Sequence, residues 1–235
     1  MKKMYFKKLG LLLTICLFST LIGSTQTAKY YVSTTGSNSN NGQSATPFLT
    51  IGQAMTTAVN GDTIVVNPGT YRETIDFAGK RIVLTSTYMF NQDTNLIAST
   101  KLDLQDAGVN GGVYSTINNY NFKKIYGFTL YNSPKIAINA IRNITIEKCV
   151  LRNNGYGNST DNVLLFLLAS AFSNQQSVLK DCDIYSNRNN FLIINYDRNS
   201  VGRPSEVINT KIHHNTLGTN TDGTAIRLGD GPINI

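Results

Sequence analysis

From Ile125 to the end of the chain, apolar and polar positions recur in a fixed order. Ile125, Ile146, Leu179 and Val207 each open a copy. Three positions on stand Phe128, Cys149, Cys182 and Thr210; five on, Leu130, Leu151, Ile184 and Ile212; eight on, Ser133, Asn154, Asn187 and Asn215. The copies begin 21, 33 and 28 residues apart. Self-similarity at such a period marks a solenoid, whose repeats bury their apolar faces only by stacking on one another. Apolar residues at 0, +3 and +5 alternate as strands do, with one bend, and lack the longer stripes of helical repeats. The pattern predicts coils stacked at about 4.8 Å, the spacing of neighbouring strands, with the opening apolar residues in one inward stack. The +8 asparagines are expected at a turn. There an Asn tolerates a left-handed backbone, and stacked amides can hydrogen-bond to each other. Unequal spacing puts loops of different length between copies, longest at 155–162 and 195–205, and such loops are where binding groups tend to sit.

Upstream the pattern changes. Ile51, Ala54, Met55, Ala58 and Val59 follow helical spacing. Thr50 and Gln53 have the capping-box separation, and Asn60-Gly61 supplies a stop. A strand at 63–66 follows, then a turn at Asn67-Pro68-Gly69, then strand-like stretches at 73–77 and 81–85. The stretch 89–121 reads as irregular, with Gly108, Gly111 and Gly112 marking turns.

The first residues belong to export. Lys2, Lys3, Lys7 and Lys8 precede an apolar run from Leu9 to Ile22, and small residues follow before Lys29. That order is a secretory signal peptide, read as residues 1–28, and the apolar run is shorter than the roughly 20 residues that span a bilayer. The exported chain, residues 29–235, then carries 17 basic and 14 acidic residues, a balance of +3 in place of the +7 of the whole sequence. No Lys/Arg cluster remains, so nucleic acid is not an expected partner. A mild positive charge suits acidic polysaccharide. Of three cysteines only Cys149 and Cys182 lie beyond the leader, too few for a disulfide framework. They share one register, and read as small apolar residues of an inward ladder.

Several stretches resemble secreted bacterial β-helix proteins of the pectate-lyase-like superfamily. They are the opening Lys29-Tyr-Tyr-Val-Ser-Thr-Thr-Gly36, the segment from Ala45 to Ala54, Gly61-Asp-Thr-Ile-Val-Val66 and Pro68-Gly-Thr-Tyr-Arg-Glu73. Ile125-Tyr-Gly-Phe-Thr-Leu130 and Asn143-Ile-Thr-Ile-Glu-Lys-Cys149 resemble their coil repeats. The resemblance runs from Lys29 to the last residue. It implies an all-β, right-handed parallel β-helix with a short N-terminal capping α-helix at 51–59. These motifs specify the frame better than the chemistry. Catalytic relatives are similar to lyases that break uronic-acid polysaccharides by β-elimination. In them a metal ion, often calcium, neutralises the carboxylate and a Lys or Arg takes the proton. The implied function is a polysaccharide lyase at the cell surface, in the periplasm or secreted. The alternative is a non-catalytic carbohydrate-binding or surface module. The chain is also expected to be truncated, because its last residues, 229–235, follow a strand with no cap behind them.

Such chemistry needs a basic side chain beside carboxylates. Asp197 and Asp230 are the first metal candidates, because Ile193-Ile-Asn-Tyr-Asp197 aligns with Ile226-Arg-Leu-Gly-Asp230. Asp181 and Asp183 flank Cys182 and are either calcium ligands or solvated side chains. Lys180, Lys211 and Arg227 are the candidate bases, or else ordinary surface charges. His213 and His214, adjacent on a strand, are expected on opposite faces, where they cannot both ligate one metal.

Overall fold

A strand that is apolar on one side must stack to bury that side, and here the stacking is parallel and in register. The computed structural model describes residues 27–108, 111–117, 121–156, 163–168, 177–189, 191–196, 205–217 and 226–228. Among these residues the chain visits three parallel sheets of six or seven strands in rotation, and Arg188–Asn189 pairs with Thr216–Leu217 in a fourth of two strands. The first sheet holds Lys29–Val32, Thr63–Val66, Val83–Ser86, Lys123–Tyr126, Ile144–Glu147, Val178–Lys180 and Glu206–Ile208. The second holds Gly69–Arg72, Thr100–Asp103, Thr129–Tyr131, Val150–Arg152, Asp183–Tyr185 and Lys211–His213. The third holds Ile75–Asp76, Val113–Tyr114, Ile138–Arg142, Val163–Leu168, Phe191–Tyr196 and Ile226–Leu228. This all-β arrangement, with few helices, is consistent with a parallel β-helix.

The register is the one the repeat predicts. Ile125, Ile146, Leu179 and Val207 are direct neighbours in the first sheet, and Leu130, Leu151, Ile184 and Ile212 in the second. All are buried except Ile212, which is partly so. Each corner between these sheets is a single left-handed residue at +2: Gly127, Lys148, Asp181 and Asn209, with φ of 80, 54, 52 and 45°. At Gly127 a Cβ would stand 2.6 Å from Ser86 Oγ, so glycine meets a contact as well as the φ.

The second corner corrects one expectation. The left-handed residue is at +7, not +8: Asn132, Asn153, Ser186 and His214, with φ of 62, 54, 53 and 51°. The +8 side chains are turned inward instead and form an amide ladder. Asn187 Oδ1 accepts from the backbone N and Nδ2 of Asn154, both at 3.0 Å. Asn215 Oδ1 accepts in the same way from Asn187, again at 3.0 Å. Asn187 Nδ2 also donates to Leu151 O at 2.9 Å.

The N-terminal helix, α1, spans Ile51–Thr57 and is shorter than the expected 51–59. Thr50 caps it by accepting from Gln53 N at 3.1 Å. Two distant side chains clamp its ends. The Glu73 carboxylate accepts from Ile51 N (2.9 Å) and Gly52 N (2.8 Å). Lys80 Nζ donates to the carbonyls of Met55, Thr56 and Ala58 at 2.7, 3.2 and 2.8 Å. Each charge faces the helix end whose dipole it complements. Burial is the larger influence on the Glu73 carboxyl and pushes it up; the two N–H donors pull it back. With the last carbonyls taken by Lys80, the chain leaves the helix at Ala58, and Val59 is exposed.

Other expectations also shift. Gly69, read as a turn, opens a strand, and the stretch read at 73–77 shrinks to Ile75–Asp76. The stretch read as irregular contains two short helices, α2 (Tyr88–Asn91) and α3 (Thr94–Ser99), and the strands Thr100–Asp103 and Val113–Tyr114. These strands are too short to show a period of their own; pairing with the coils on either side defines them. Of the two longest loops, 157–162 and 197–204 lie outside the described residues, while Asn195 and Tyr196 end a strand.

One inward position holds a charge. Lys123 sits opposite Ile144 and is fully buried. Its Nζ donates to Asn121 O at 2.7 Å. Burial pulls its pKa down to about 8.

Two outcomes follow. Asn187→Ala strips the buried N–H groups of Asn154 of their acceptor and Leu151 O of a donor, so it should lower unfolding stability by about 2–3 kcal/mol in urea titration. Lys123, with its folded pKa below the unfolded value of about 10.4, contributes stability that is present above that value and lost as pH falls through about 8. Lys123→Met should therefore melt higher than the unmodified protein at pH 7, and the gap should narrow by pH 9.5. A gap independent of pH would mean that the amine is solvated.

Candidate functional site

Side chains at +1 point out of the first sheet, since +0 points in. Stacking sets Tyr126, Glu147 and Lys180 in one outward row, with Lys124 beside it. Lys124 Nζ lies 2.7 Å from Glu147 Oε2 and 4.4 Å from the centre of the Tyr126 ring. Lys180 Nζ approaches the other Glu147 oxygen at 3.8 Å. At the adjoining corner Lys148 Nζ stands 3.1 Å from Asp181 Oδ2, and Asn209 Nδ2 donates to Asp181 Oδ1 at 2.6 Å. Asn209 and then Lys148 hold the Asp181 carboxyl below the usual carboxylate range, and Asp181 raises Lys148. Three lysines thus surround two carboxylates, a surplus of one positive charge on a partly solvated face. Tyr88 packs edge-on against Tyr126, ring centres 5.3 Å apart, and burial pushes the Tyr126 hydroxyl up.

The outer face of the second sheet carries a different group. Asp183 Oδ1 lies 2.8 Å from His213 Nε2. His213 Nδ1 lies 2.7 Å from His214 Nδ1. The Tyr185 ring stacks on His213, centres 5.3 Å apart and planes 12° apart. This overturns the expectation that the two histidines face apart. Strand alternation ends at His213; His214 is the left-handed corner residue, with φ of 51°, and its ring swings back to meet its neighbour. Lys211, two residues before His213 on the same strand, shares that outer face and is exposed.

The residues singled out in the sequence are thus distributed over three sheets. Lys180 is on the first, Lys211 on the second, and Arg227 pairs in register with Ile194 on the third. Ile193 pairs with Ile226, as the sequence alignment has it, while Asp197 and Asp230 themselves lie outside the described residues. Asp181 and Asp183 have separate partners, Lys148 with Asn209 for one and His213 for the other. They do not converge on the oxygen cage that calcium requires. Among the described residues no three His, Cys, Asp or Glu side chains gather as a metal-binding group.

Cys149 and Cys182 stack inward as free thiols. Each Sγ donates to a carbonyl two residues back, Glu147 O at 3.3 Å and Lys180 O at 3.2 Å. Burial, and then Cys149, pushes the Cys182 thiol up. An open cleft is lined by Gln105, Asn132, Pro134, Asn153 and Tyr156. The Tyr156 hydroxyl donates to Ser186 O at 3.1 Å. The histidine chain is the group that sequence reasoning misplaced. Its signal was present as two adjacent His at +6 and +7, with +7 the position where every copy turns left-handed.

No protein-family model matches the chain, and no curated protein matches it. A solved structure described as a rhamnogalacturonan lyase is similar to it, with a TM-score of 0.50 at 17% identity over 88% of this chain. The chain spans 62% of the length of that structure. At this identity the likeness is one of fold, and it agrees with the parallel sheets described above.

Proposed function

We propose that the chain is an exported, right-handed parallel β-helix protein that binds uronic-acid-containing polysaccharide and cleaves it by β-elimination. The observation that carries the proposal is the lysine face of the first sheet. Lys124, Lys148 and Lys180 come from three successive coils there, around Glu147 and Asp181. A polymer with a carboxylate on each sugar meets a cluster with surplus positive charge on such a face. Elimination next to a carboxylate needs that charge neutralised, so that the neighbouring C–H becomes acidic, and a base to take the proton. The leader with its four lysines supports export. The name of the lyase whose fold the chain resembles supports the same class of reaction.

A second reading, a non-catalytic carbohydrate-binding module, is favoured by the cleft of Gln105, Asn132, Asn153 and Tyr156. Amides and a tyrosine suit sugar hydroxyls without chemistry.

The purified protein should be mixed with pectate, alginate and chondroitin, with binding and ultraviolet absorbance of the unsaturated product followed together. Binding is expected to weaken with salt. It should fall up to about fivefold for each of Lys124→Met and Lys180→Met, which corresponds to about 1 kcal/mol apiece. New absorbance would establish the lyase. Binding without absorbance would leave the binding module, and no binding to any of the three would overturn both readings.

A further inference from the structure

With both imidazoles neutral, the hydrogen-bond roles along the second-sheet histidine chain follow from its first member. The Asp183 carboxylate can only accept, so His213 Nε2 carries the proton in their 2.8 Å contact. A neutral His213 then offers Nδ1 as an acceptor, and the 2.7 Å contact requires the proton to sit on His214 Nδ1. One ring nitrogen is left with a lone pair: His214 Nε2. Among the described residues nothing hydrogen-bonds to it. The chain therefore works as an orienting relay, with a carboxylate fixing one imidazole and that imidazole fixing the next, as a hydrogen bond to one ring nitrogen fixes the other in functional histidines elsewhere. Stacking of Tyr185 on His213 holds the middle ring in plane. Lys211 stands exposed on the same face, and no carboxylate lies within ion-pair distance of it among the described residues.

We infer that His214 Nε2 is the proton acceptor of the elimination, that Asp183 and His213 position it, and that Lys211 holds the uronate beside it. The inference rests on the reading that the chain cleaves uronic-acid polysaccharide, and it places the chemistry on the second sheet. His214 Nε2 takes the proton from the carbon that bears the carboxylate. The C–H electron pair becomes the new carbon–carbon double bond. The bond from the next carbon to the glycosidic oxygen breaks, and that oxygen leaves with its electron pair. It takes a proton from water, and the imidazolium returns its own proton to the hydroxide so formed. Atoms and charge balance without oxidant or net water. Lys211 acts as a cation, lowering the charge that develops on the carboxylate as the proton departs.

Two readouts test this. In long-range proton–nitrogen NMR of the labelled protein, His213 should appear as the Nε2–H tautomer and His214 as the Nδ1–H tautomer, and Asp183→Asn should abolish the preference. In the absorbance assay, His214→Asn, which tolerates the left-handed backbone, should lower kcat by about 100-fold or more with polysaccharide affinity within about twofold. His214→Gly should regain rate when free imidazole is added. Lys211→Met should raise KM. Product formation by His214→Asn at the unmodified rate would overturn this inference and leave the lyase standing. Binding without product from the unmodified protein would overturn the inference and the lyase together, leaving a binding module. Loss of rate without imidazole rescue, or a free mixture of tautomers at His213, would overturn the assigned role of the relay.

Discussion

Everything in this molecule depends on parallel strands stacking in register, so that each residue lies about 4.8 Å from its equivalent in the next coil. Once the register is set, like stands on like. An apolar residue at the head of one copy meets its counterpart above and below, and the core becomes a set of columns: Ile125, Ile146, Leu179 and Val207 form one of them. The asparagine ladder follows from the same constraint. An amide has donors on one side and an acceptor on the other, so identical amides stacked at strand spacing satisfy each other, as Asn154, Asn187 and Asn215 do. A single slip would leave those buried groups unpaired and turn the apolar columns outward.

The same stacking builds the outer faces. Lys124 and Glu147 come from successive coils, and Asp183 and His213 are likewise one coil apart, yet each pair makes direct contact. Chemistry on such a scaffold is assembled between coils, by side chains that point away from the core at equal register. Left-handed corner residues add a second way of bringing groups together. A residue at +7 is released from strand alternation, and its side chain can return toward the +6 residue before it. That is how His214 meets His213.

At the N-terminal end the helix is held to the sheets by charge as well as by apolar contact. Ile51, Ala54 and Met55 bury the inner face of the helix, while Glu73 and Lys80, both from the first coil beneath, hold its two ends. These side chains tie the cap to the coil by hydrogen bonds to backbone groups that a helix leaves unsatisfied at its termini. Lys123 is a buried charge beside apolar columns, its ammonium drawn to a carbonyl at the edge of the core.

The columns were legible in the amino-acid order alone, because strand stacking repeats the same environment and so repeats the same residue type. The four-copy register, the inward cysteines, the stacked asparagines and the capped helix at Ile51 can all be read from spacing. The strands Gly69–Arg72 and Thr100–Asp103 cannot, since they carry no copy of the repeat; their partners define them. The candidate site divides the same way. Charged residues on the outer faces were identifiable as types, but their pairing was not, because a contact such as Lys148 with Asp181 depends on which corner turns and by how much. The histidine chain is the clearest case. Alternation along a strand assigns His213 and His214 to opposite faces, and only the left-handed turn at His214, imposed by the coil as a whole, reverses that assignment. Local order thus determined which residues lie inside and which outside. Tertiary structure decided which outward residues touch, because contact between coils is set by backbone turns that no single stretch of sequence contains.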